Sequence, residues 1–202
     1  MLKADEMMAV FNLSIEDYHL KDDVDTPEVN PFPIGSMQEL LYSKNWIDTV
    51  QWHLEDIIRN PNIEPVSALE IKRRIDTSNQ KRTDLVEQID DAVLSLFKGV
   101  KLQSYARLNT ESPAWAIDRF SILALKLYHM QVEANRENNS EALQAKNQMK
   151  LSVLQEQEQD LTTAVDHLIE DLAMGRRISK VYRQMKMYND PELNPILYKN
   201  EE

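Results

Sequence analysis

Two stretches of the chain carry ionisable side chains on the face that an amphipathic helix keeps apolar. In the first, Ser36 to Arg59, the buried stripe is Trp46, Val50, Leu54 and Ile57, and His53 lies inside it. His53 and Asp56 stand three residues apart, so on a helix their side chains converge on one point. An imidazole beside a carboxylate is a metal-ligand pair or an oriented base. The bland alternative is a core-edge histidine satisfied by one hydrogen bond. In the second stretch, Ser67 to about Phe97, residues Ile75, Val86, Ile89, Val93 and Phe97 share a face with Asn79, Arg82 and Asp90. Glu87-Gln88-Ile89-Asp90 has the E-x-x-D spacing with which two carboxylates hold one divalent cation. A buried charge is costly unless it is paired, hydrogen-bonded or metal-bound. These inward groups therefore predict either a site, with His53, Asp56, Glu87 and Asp90 around Mg²⁺ or a similar ion, or an interhelical network that fixes register.

A third apolar stretch, Ala114 to Met130, is interrupted by Asp118, Arg119, Ser121, Lys126 and His129. Asp118, Lys126 and His129 share one stripe, with Arg119 beside it. Facing solvent, the stripe needs no explanation. Turned towards the preceding helix, it brings two cations and an imidazole to Asp76, Asn79 and Asp90, a polar pocket for an anion. Arg82 belongs to the same set. Near the C-terminus, Arg176, Lys180 and Arg183 share a helical face opposite Ile178, Val181 and Met185. That face either neutralises a neighbouring acidic helix or subunit or, through Arg183, recognises phosphate. His19 and His167 have no partner that spacing identifies. A Ser–His–Asp pattern, a P-loop and a glycine-rich dinucleotide loop are all missing, which argues against a classical hydrolase or an ATP-binding kinase.

Helices must position these groups, and the sequence supplies their ends. Residues 4 to 20 predict a short first helix, followed by a connector broken by Pro27, Pro31, Pro33 and Gly35. Ser36-Met37-Gln38-Glu39 and Ser67-Ala68-Leu69-Glu70 both read as capping boxes. Ser112-Pro113 pairs a cap with proline at the first helical position. Asn138-Asn139-Ser140 restarts the chain into a long helix in which Leu154, Leu161, Val165, Leu168 and Leu172 recur at packing intervals. The expectation is an all-α single domain: a four-helix bundle over 36–174, an N-terminal extension over 1–35 and a basic helical C-terminal extension over 175–202.

Bulk properties bound the function. The 202 residues suit one domain with a real core, and three glycines are too few for a hairpin-rich sheet protein. A net charge of −11 argues against nucleic acid as a partner. There is no cysteine and so no thiolate chemistry. The start lacks the pattern of a secretory signal, and no apolar run approaches the ~18 residues of a membrane span. The expectation is a soluble, cytoplasmic protein without membrane contact.

Several runs resemble known families. Glu87-x-x-Asp90 followed by Asp91-Ala92-Val93-Leu94 looks like the second acidic motif of the all-α nucleotide pyrophosphohydrolases, with His53-x-x-Asp56 where that family has E-x-x-E. Over nearly the whole chain, the run Asn45 to Asp56, the run Lys72 to Gln80, Ser112 to Arg119 and Tyr188-Asn189-Asp190-Pro191 resemble an uncharacterised bacterial family common in Bacteroidetes, domain of unknown function 4254. The resemblance implies a helical cytosolic protein and carries over no catalytic residue. Two functions follow as expectations: metal-assisted binding or hydrolysis of a phosphorylated metabolite, a nucleotide or nucleotide-sugar; or a non-catalytic helical module, in which a homodimer packs on the long fourth helix.

Overall fold

The structure is a computed structural model and describes residues 2–184, 187 and 190–199. Met185, Lys186, Tyr188 and Asn189 lie outside the described residues. The elements run α1 (Ala4–His19), α2 (Met37–Ile58), α3 (Pro65–Leu96), β1 (Arg107–Leu108), α4 (Pro113–Ala134), α5 (Glu141–Ala173), β2 (Arg177–Ile178) and α6 (Pro195–Tyr198). The fold is an all-α bundle. No helix among the described residues is long and apolar enough to cross a membrane.

The serine half of the first capping box forms as the sequence predicts, and the glutamate half is shifted by one residue. Ser36 accepts from the Glu39 backbone N–H at 3.1 Å, while the Glu39 carboxylate accepts from the N–H of Gly35, one residue before the cap, at 2.5 Å. The second box does not form. Pro65, with φ already set for a helix, starts α3 two residues earlier and leaves Ser67 inside the first turn. α4 begins at Pro113 as expected, but its cap comes from a distance: the Asp90 carboxylate of α3 accepts from the Ala114 N–H at 2.9 Å.

α1 is a full member of the bundle. Its Met7, Phe11, Ile15 and Tyr18 are buried against α2, α4 and α5, with Phe11 meeting Phe120 edge to face. α2 and α3 run antiparallel, as shown by Asp48 meeting Arg82 and Gln51 meeting Ser78 and Asn79. α4 lies across both and packs along α5.

The C-terminal segment departs from expectation. No helix follows α5 over 176–184. Gly175, at φ +66°, ends α5 so close to the chain that an added Cβ would stand 2.3 Å from the Lys101 carbonyl oxygen. The chain then runs extended, and Arg177–Ile178 pairs in parallel with Arg107–Leu108. Helical phase therefore does not apply to Arg176, Lys180 and Arg183.

Candidate metal centre

Three of the four histidines of the chain meet at one place. His19 ends α1, His53 lies in the last third of α2 and His129 lies on the C-terminal half of α4. One ring nitrogen from each lies within 4.8 Å of the others, and all three side chains are half-buried. His19 Nδ1 sits 2.6 Å from the Ile15 carbonyl oxygen, which can only accept, so Nδ1 carries the proton. In the neutral ring the lone pair is then on Nε2. That atom points at His53 Nε2, 3.2 Å away. Two nitrogens bound to one tetrahedral zinc at ordinary bond lengths stand about 3.3 Å apart. The backbone carbonyl on His19 Nδ1 is the kind of outer partner that fixes a ligating imidazole.

His129 completes the group. Its Nε2 is buried and has no hydrogen-bond partner among the described residues. Its ring is clamped parallel to Trp52, with centroids 4.7 Å apart. Burial, aided by the neighbouring His53 and His19, pushes its pKa down to about 4, and burial likewise lowers that of His53. Both are thus neutral near pH 7, the state a metal requires. Tyr18 stacks on His53 and Tyr128 lies over His19, so aromatic walls enclose two more sides. Asp22 stands at the open edge, its carboxylate 3.9 Å from His19 Nε2 and 3.7 Å from His53 Nε2. Its backbone is left-handed at φ +52°, a conformation uncommon for a residue other than glycine.

Residues 38–181 match the family described as Protein of unknown function (DUF4254). The chain belongs to that family. No curated protein and no solved structure matches it. The DUF4254 match takes in His53 and His129 and begins after His19 and Asp22, which α1 and the turn behind it supply.

The predicted site residues of this DUF4254 chain fall in several places. His53 joins the cluster, but Asp56, Glu87 and Asp90 do not complete a set with it. The antiparallel register sets Asp90 roughly 20 Å along the bundle from His53, at 1.5 Å rise per residue. Asp90 points inward as its helical phase requires, yet it serves the α4 N-terminus. Glu87 accepts from Arg183 and from the Gln184 N–H, and Arg183 also pairs with Asp91. Asp56 lines a neighbouring groove with Arg59 and Arg82.

Arg82 and Asp118 belong to a buried ionic quartet. Arg82 pairs with Asp48 at 2.9 Å and with Asp118 at 2.7 Å; Lys44, fully buried, pairs with both carboxylates. Ser121 donates to Asp48 at 2.6 Å and receives Asn45 at 3.0 Å. Two cations and two carboxylates balance, which is the interhelical network that the inward charges allowed. Asn79 accepts from Gln51, and Asp76 pairs with Lys72 in solvent. Arg119 pairs with Glu111 and, with Lys126, borders a cavity of about 610 Å³ between α4 and α5. His129 alone of the expected anion set reaches the histidine cluster. Sequence reasoning missed His19, whose one signal was its place at the C-terminal end of an aromatic helix, and Lys44, which reads as an ordinary helix lysine.

Proposed function

We propose that this chain is a transition-metal protein, with His19, His53 and His129 as ligands to one divalent ion. The observation that carries the proposal is the convergence of three imidazoles from three helices, one of them with a buried nitrogen that has no hydrogen-bond partner among the described residues. Nitrogen donors suit zinc and its neighbours better than magnesium, which prefers oxygen. Three protein ligands would leave a bound zinc open to water or substrate, as in reactive zinc sites, and Asp22 stands beside the cluster. An ion there supplies a Lewis acid able to polarise a phosphoryl or carboxyl oxygen and to acidify bound water. This keeps the phosphorylated metabolite as the substrate class, and Asp22, beside the cluster, would be the group to accept a proton there. The ionic quartet supports a structural role for Arg82 and Asp118 instead.

Competitive titration of chelator-treated protein with zinc tests the proposal. One ion per chain is expected, lost in His53→Ala and in His129→Ala, while Glu87→Ala and Asp56→Ala bind normally. Equal zinc affinity in the histidine variants would remove the proposal.

A further inference from the structure

A second feature stands apart from the metal reading. Between α4 and α5, beside the end of α2, lies a groove walled by Trp52, Met130, Met149, Val153 and Leu154, with the outer face of the Trp52–His129 stack in its lining. Its volume of about 460 Å³ is in the usual range for a small-molecule site. Met149 is 64% exposed and Val153 47%, so apolar surface lies open to water along the groove. Three charged groups rim it. Glu133 is already paired with Arg136 at 3.2 Å. Lys126 and Lys150 have no ion-pair partner among the described residues.

In a chain of net charge −11, two unpaired ammonium groups above an apolar wall select for one kind of ligand. We propose that the groove binds a single-chain amphipathic monoanion of the fatty-acid type. Its hydrocarbon chain lies along Met149, Val153 and Leu154, and its carboxylate sits between Lys126 and Lys150. Lysine suits this task because its stem covers apolar surface while the ammonium stays in water beside the head group. A second copy of the chain fits less well, since a two-fold contact over this groove gathers four like-charged lysines.

Calorimetric titration with hexanoate, octanoate, decanoate and dodecanoate, each below its micelle concentration, tests the proposal on both metal-free and zinc-treated protein. One ligand per chain is expected, tightening about fourfold with each added CH₂ until the groove is full. Reversing both charges in Lys126→Glu/Lys150→Glu should weaken decanoate about tenfold or more. Val153→Glu should abolish binding, and Trp52→Phe should remove most of the fluorescence change. Lys126, Lys150 and Val153 are all exposed, so these variants keep the fold, which circular dichroism verifies. The proposal is overturned if decyltrimethylammonium binds as tightly as decanoate, if several ligands bind per chain, or if the lysine variant is unaffected. A dimer by light scattering that excludes decanoate overturns it in favour of a second copy. Binding to metal-free protein upholds the groove whatever zinc does.

Discussion

At the scale of single residues, titration and capping set what each buried polar group contributes. His129 has a folded pKa of about 4 against an unfolded value near 6.5. A base whose folded pKa is depressed stabilises fully above the unfolded value, and that contribution is lost as pH falls from about 6.5 towards 4. Metal-free protein should therefore lose roughly 1–2 kcal/mol between pH 7 and pH 5 through this group, discounted for partial exposure. His129→Gln should show a shallower decline in urea midpoints, and an unchanged slope would contradict the assignment. Asp90 behaves in the opposite sense: burial pushes its pKa up, so its ionised form costs stability once pH rises past the folded value. Its oxygen nevertheless caps α4. Asp90→Asn should be close to neutral or stabilising at pH 7, whereas Asp90→Ala should cost about 1–2 kcal/mol by leaving the Ala114 N–H unsatisfied. Thermal melts of the pair decide the point, and equal losses would show that the charge, not the acceptor, matters.

At the scale of helices, the ionic quartet is the strongest constraint on how α2, α3 and α4 fit together. Lys44 is fully buried, while the Arg82 side chain keeps a quarter of its surface in solvent. Asp118→Ala leaves Lys44 underpaired where water cannot reach and should cost about 3–5 kcal/mol. Arg82→Ala should cost less, because the remaining Lys44 still faces two carboxylates and the vacated edge admits water. Urea unfolding gives both values, and a reversed order would place the critical charge on the wrong helix. This scale also shows why the sequence could be read only in part. The phase of Asp90 and Arg82 was legible, because a helix wheel needs only spacing. Their partners were not, because axial register between α2 and α3 depends on where Pro65 starts the second rod. Ser67-x-x-Glu70 looked like a start and is not one. The C-terminal basic face failed for a related reason, since helical phase means nothing once the close approach of Gly175 to Lys101 has ended the helix.

At the scale of the whole molecule, the three imidazoles tie together parts that are far apart in the chain. His19 is the last residue of α1, and α1 is linked to α2 by the proline-broken stretch that follows it. An ion shared by His19, His53 and His129 therefore clamps α1 against α2 and α4 at one end of the bundle, while buried Phe11 and Met7, the Ser14 hydroxyl bonded to the Tyr42 carbonyl and the Ala4 N–H bonded to Asp166 hold the rest of α1. Any ligand that binds only the folded state stabilises by mass action, about 2.7 kcal/mol at a hundredfold excess over its dissociation constant. For a domain of this length that corresponds to a rise of roughly 5–10 °C in melting temperature. Wild-type protein should show this rise with zinc, and His19→Ala should not. Hydrogen exchange locates the effect: amides in the last turns of α1 should gain protection on adding zinc, and those at the C-terminal end of α3, distant from the cluster, should change no more than the global stability demands. A uniform rise with no excess at α1 would mean that the ion binds elsewhere, because only a ligand held by His19 can select the end of that helix.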